Sequence, residues 1–204
     1  MGFLSSSSTF TRYFINGSIE GPLAETVREG LEANIIAEID NQEEDRAFGW
    51  TSFESPYAPD FNASSVVVGS YFVFALRIDK KVLPAKIVQR LLAVEIKKRL
   101  SASGREFLSR DEKKDAKEHV LNVLSLRIPA TPNVFDVLWN MDSGEVWLFS
   151  TQSAAQEVFE TLFYKSFGAA VAPLFPYTLA ETTFKLTDNE LELLADIAPV
   201  PFME

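Results

Sequence analysis

The sequence contains no cysteine and only one histidine. The first absence excludes a disulfide framework, a thiol nucleophile and any thiolate metal site, and it fits a reducing compartment. The lone His119 follows Glu118 in a strongly charged segment and reads as a surface residue. No nucleophile-elbow motif accompanies it, so a Ser-His-Asp triad is not expected. Glycine is sparse, and Gly17, Gly21 and Gly30 lack the lysine and spacing of a phosphate-binding loop. Long apolar runs are also missing. The longest, Tyr71 to Leu76, is far short of the roughly 20 residues that span a bilayer. Met1-Gly2-Phe3-Leu4 leads into serines with no basic residue before Arg12, which is not a secretory signal. A cytoplasmic protein with no membrane association, no cofactor and no metal is therefore expected.

Positive charge is scarce everywhere except in one stretch. Residues Arg77 to Arg127 hold 14 of the 19 lysines and arginines against 7 acids, a local net of +7. The remaining chain has 5 basic residues and 22 acids, so the overall charge is −10 and the pI about 4.7. Averaging over the surface would argue against a nucleic-acid partner. Screening confines each charge to about 10 Å, however, so segregated charges act locally. Apolar residues make up 47% of the 204 residues, with 17 phenylalanines, enough for a sizeable core.

Along the chain, Thr9 to Ile19 has strand composition, and Gly21-Pro22 opens a helix whose Leu23, Val27, Leu31 and Ile35 recur every fourth residue up to an acidic loop at Asp40. Phe48 to Phe53 reads as a short strand and Glu54 to Ala63 as a loop. Ser65 to Ile78 is apolar on both faces and reads as one central strand. Leu83-Pro84 starts a helix that Ser101 to Gly104 breaks, and Ser109 with Glu112 forms a capping box for a second helix to about Leu126. Val134 to Trp139 and Glu145 to Phe149 form a hairpin around a Gly-containing turn. Ser153 and Gln156 suggest another capping box, before a helix that ends at Gly168. Ala169 to Leu179 reads as a strand, Thr187 and Glu190 cap a last helix, and Ala198 to Phe202 is an extended tail.

The expected fold class is α+β, with antiparallel sheets in two β-α-β-β-like halves (1–80 and 131–204) flanking a protruding basic helical hairpin (81–130). At roughly 100° per residue, Arg110, Lys113, Lys114 and Lys117 share one arc of the second helix. Asp111, Glu112, Asp115 and Glu118 gather on another, and Ala116, Val120, Val123 and Leu124 form the packing stripe. Like-charged residues four apart cost a few tenths of a kcal/mol each, so this segregation is not what solubility alone would favour. Lys97, Lys98, Arg99 and Arg105 lie across the turn. An antiparallel hairpin would gather all eight cations at one tip, a surface suited to phosphates and blind to base sequence.

These residues also resemble the RdgC family of bacterial recombination-associated DNA-binding proteins. The resemblance rests on Lys81-Val82-Leu83-Pro84 and the helix after it, Gly104-Arg105-Glu106-Phe107-Leu108-Ser109-Arg110-Asp111-Glu112-Lys113, the hairpin Val137 to Phe149, and the helix Ala154 to Gly168. It implies a short member without the family's usual C-terminal region. It further implies a non-enzymatic, nucleoid-associated homodimer that binds duplex DNA without sequence preference and restrains RecA. By position, Lys97, Arg105, Arg110, Lys113 and Lys117 are the implied basic contacts.

Two other classes remain open on the residues. The acidic body could engage a basic protein partner, making the chain a regulatory module that has lost DNA binding. Asp136, Asp142 and Glu145 lie near one another in sequence, as a metal-dependent exonuclease would need. Asp142 fits better as a turn former and Asp136 as one face of a strand. Trp50, Trp139 and Trp147 are expected in the core.

Overall fold

The computed structural model describes residues 2–61, 66–184 and 186–197. The end of the expected loop at Ala63, the start of the expected strand at Ser65 and the tail Ala198 to Phe202 lie outside the described residues.

The chain runs β1 (Thr11–Asn16), α1 (Leu23–Ala33), β2 (Arg46–Thr51), β3 (Val67–Val68), β4 (Tyr71–Lys80), α2 (Ala85–Ser103), α3 (Arg110–Ser125), β5 (Thr131–Asn140), β6 (Glu145–Leu148), α4 (Ser153–Phe167), β7 (Ala170–Pro173), α5 (Pro176–Phe184) and α6 (Asp188–Asp196). The α+β class with antiparallel pairing is what forms. Strands from before and after the helical hairpin interleave in one sheet of order β2-β4-β5-β6-β1-β7, with β3 paired to β4. Its spine is the β4–β5 ladder, which runs in register from Tyr71↔Asn140 to Lys80↔Thr131.

Alternation along β4 explains its central place. Phe72, Phe74, Leu76 and Ile78 face the side covered by α1 and α4, while Val73, Ala75, Arg77 and Asp79 face the other, and all eight are buried. Under the helices lies an aromatic core. Trp50 meets Phe74 edge-on at 5.1 Å and lies near Phe159 and Phe167, and Trp139 contacts Phe163 and Phe167. Each such side chain contributes about 1.5–3 kcal/mol through burial. The Trp50 indole N–H donates to Ser166 Oγ at 2.7 Å, so the one polar atom of this ring is satisfied. On the opposite face, Phe3 packs on Phe53 and Phe149, and Phe10 stacks on Trp147.

Several expectations change for local reasons. The first helix stops at Ala33, because Asn34 to Ile36 turn out to pair with the edge strand β2. Trp50 N–H donates to Asn34 O at 2.9 Å and Ile36 N–H to Trp50 O at 3.0 Å, which leaves Ile35 exposed. Gly49 permits this approach, since a Cβ there would stand 2.6 Å from the Ile36 backbone. The expected strand to Ile78 is two strands folded at Gly69-Ser70, with Gly69 at φ 61°. Ser153 and Gln156 form no capping box. The α4 N-cap is Gln152, and the Gln156 amide instead donates to Thr11 Oγ1 at 2.7 Å. The expected strand Ala169 to Leu179 ends at Pro173, and Pro176 opens α5, where its missing N–H costs nothing. Trp50 and Trp139 are core residues, whereas Trp147 is half-exposed, with its indole N–H on Glu145 Oε2.

Candidate nucleic-acid interface

The basic element is a pair of helices on a tight root. Pro84 precedes α2 as its N-cap, and Gly104 ends it in the left-handed conformation at φ 65°. Helix α3 returns antiparallel: Leu91, Val94 and Glu95 of α2 line a groove with His119, Val120, Val123 and Arg127. Ala116, Val120 and Leu124 are buried in the seam, but α2 has no buried residue at all. Its apolar side chains are therefore only partly covered, and Val94 is mostly exposed.

Glu112 ties the tip together. Its Oε2 accepts from Ser109 N–H at 2.8 Å while Ser109 Oγ accepts from Glu112 N–H at 3.2 Å, the reciprocal cap expected from the sequence. Its Oε1 also accepts from Arg105 Nη2 at 2.5 Å. The Ser109 amide, followed by the Arg105 guanidinium, holds the Glu112 carboxyl down at about 2. Arg99 pairs with Glu95 at 2.8 Å and reaches the Glu112 carbonyl at 3.4 Å. Its bond to Glu95 is the main reason that carboxyl lies below its ordinary range, with smaller help from Lys98 and His119.

The eight cations singled out in the sequence thus divide. Arg99 and Arg105 lock the hairpin, and Lys114 lies 3.7 Å from Glu118 in a solvent-exposed pair. Lys97, Lys98, Arg110, Lys113 and Lys117 are exposed and take part in no ion pair among the described residues. Those five can meet phosphates without first giving up a carboxylate. Two more share these properties and were missed: Lys86 and Arg90 on α2, which fall with Lys97 within roughly 40° of arc at 100° per residue. The helical projection used for α3 would have found them on α2.

Other members of the positive stretch are structural. Arg77 is 5% exposed and forks onto Asp79, 1% exposed, with Nε–Oδ1 at 2.8 Å and Nη2–Oδ2 at 2.5 Å. Glu38 lies 3.2 Å away and the Tyr57 ring below. Lys81 is buried with Nζ on Gln42 O at 2.6 Å, and its N–H meets Asp45 O at 2.8 Å. Asp40 accepts from Ala130 N–H at 2.8 Å. The acidic loop therefore grips both ends of the hairpin at its root.

Of the three acids considered for metal chemistry, Asp136 and Glu145 have carboxylates with separate partners. Asp136 accepts from Phe3 N–H at 3.0 Å, and burial pushes its carboxyl up. Asp142 sits in the turn with its N–H on Asn140 Oδ1, and Glu145 pairs with Arg12 at 2.8 Å. Among the described residues no three His, Cys, Asp or Glu side chains converge as a metal site would require, and no helix is long and apolar enough to cross a membrane.

No match was found among curated proteins. A protein-family model described as "Putative exonuclease, RdgC" matches residues 11–187. That span takes in the whole sheet, both helices that cover it and the complete basic hairpin. The chain belongs to the RdgC family.

Proposed function

We propose that the chain binds duplex DNA without sequence preference, through phosphate contacts from the α2–α3 hairpin. Family membership supports a recombination-associated, DNA-binding role at the level of the family. The observation that carries the reading to residues is the set of exposed cations on the hairpin without carboxylate partners, on an otherwise acidic chain. Such a surface gains affinity by releasing counterions, and the acidic body orients the duplex by repulsion from everywhere else. In this reading the protein is a homodimer in the nucleoid, and its occupancy of duplex DNA restrains RecA. It performs no chemical step, a view supported by the separate partners that the Asp136 and Glu145 carboxylates take.

A duplex-DNA gel shift across a salt series tests this. Replacing Lys113, Lys114 and Lys117 with Glu should weaken binding to all sequences alike and make the log–log salt slope shallower by roughly 3, at about 0.9 per phosphate contact. Absence of retardation at low salt, or unchanged affinity in the variant, would overturn the reading. Incubation of the same DNA with Mg²⁺ or Mn²⁺ should leave its length unchanged, and metal-dependent shortening would restore the exonuclease alternative.

A further inference from the structure

A second basic feature lies in the sheet, at the rung from which the hairpin departs. Arg46 of β2 and Lys80 of β4 are direct partners in the antiparallel register, so both side chains stand on the same face. Like charges directly opposite one another across two strands repel. Neither takes part in an ion pair among the described residues, and Asp79, the acid next to Lys80, points to the other face and is held by Arg77. The two cations border a cavity of about 280 Å³. Ile78 and Phe135 line it with apolar surface, Asn133, Gln152 and Ala154–Ala155 of the first turn of α4 complete the lining, and one side is open to solvent. Helix α4 begins there without a side-chain cap.

We propose that this cavity binds a phosphate-class dianion, either inorganic phosphate or the phosphoryl group of a small phosphomonoester. Three features select that chemistry. Two unneutralised cations match a group carrying about −1.5 to −2, whereas a DNA phosphodiester carries a single charge. The amides of Asn133 and Gln152 can donate to the remaining oxygens. The volume is at the small end for ligand sites, which suits one compact group beside that apolar surface. The site stands apart from the hairpin reading and survives its failure.

Thermal melting in inorganic phosphate, with sodium chloride balancing ionic strength, tests the assignment. The wild-type midpoint should rise with the logarithm of phosphate concentration above Kd, by roughly 5–10 °C at a hundredfold excess. The double variant Arg46→Gln, Lys80→Gln should melt at or above the wild type without phosphate, because the repulsion is gone, and should show no rise with it. Equal rises in both proteins, or none in the wild type, would overturn the proposal. The double variant should also retard duplex DNA as the wild type does. If it loses DNA binding while phosphate leaves the wild-type midpoint unmoved, the cations serve the DNA backbone and the small-ligand assignment is wrong.

Discussion

Removing the Asp79 carboxylate should expose how much the fold depends on the buried fork beneath the hairpin. Asp79→Asn keeps the shape but replaces one acceptor with an amide donor facing the guanidinium of Arg77. The surviving oxygen can accept one bond, while the charge of Arg77, only 5% exposed, loses its closest partner. Breaking a buried pair in this way costs about 3–5 kcal/mol. Glu38, 3.2 Å from Nη1 with its side chain 63% exposed, offers partial compensation, which places the expected loss near the lower end, about 3 kcal/mol. In urea denaturation, with a slope of roughly 2–3 kcal/mol/M, the midpoint should fall by about 1–1.5 M. The double variant Arg77→Met, Asp79→Leu supplies the control. It removes both charges together and should recover to within about 1 kcal/mol of the wild type or better, since burying an ion pair repays little over a well-packed apolar substitute. A loss below about 1 kcal/mol in the single variant, or a double variant as unstable as the single, would refute this account of the fork.

Acid should loosen the hairpin tip selectively. The Glu112 carboxyl is depressed to about 2 in the folded protein, so its contribution is fully present above the unfolded value near 4.5 and is lost as pH falls toward 2. Protection factors of α3 amides, taken against the intrinsic exchange rate at each pH, should fall across that window in the wild type, whereas Glu112→Gln should show low protection already at neutral pH and little further change. At the α1–α4 crossing, Gly30→Ala should destabilise by about 1–3 kcal/mol despite its better helix propensity, because the new Cβ would stand 2.5 Å from the Ser166 carbonyl oxygen and 2.7 Å from the Phe167 ring. A melting midpoint at or above the wild type would show that the crossing can open to admit a methyl group.

Where local periodicity sets the outcome, the sequence was readable. The four-residue recurrence of Leu23, Val27 and Leu31, the Ser109–Glu112 cap and the two-sided apolar run of β4 each form as expected, because each needs only neighbours in sequence. What escaped depended on partners far along the chain. Ile35 continues the helical rhythm, yet β2 needs an edge partner, and the backbone around Asn34 supplies it. Gln156 matches a capping pattern but is drawn to Thr11, 145 positions away. Counting charges along a segment also hid how they are used. Arg77 and Lys81 are interior, and Arg99 and Arg105 are locks, while Lys86 and Arg90 passed unnoticed on a helix whose cations were read only near its C-terminal end.

The register of β4 and β5 has a consequence for how such a protein can change over time. Lys80 and Thr131 are direct partners, so the whole excursion through α2 and α3 leaves and rejoins the sheet at a single rung. Topologically it is an insertion at the tip of a plain β-hairpin. Its length and charge can drift with little effect on the strands that hold it, and a two-residue turn in its place would still close the ladder. The sheet can thus stay fixed while the surface offered to a partner is rewritten.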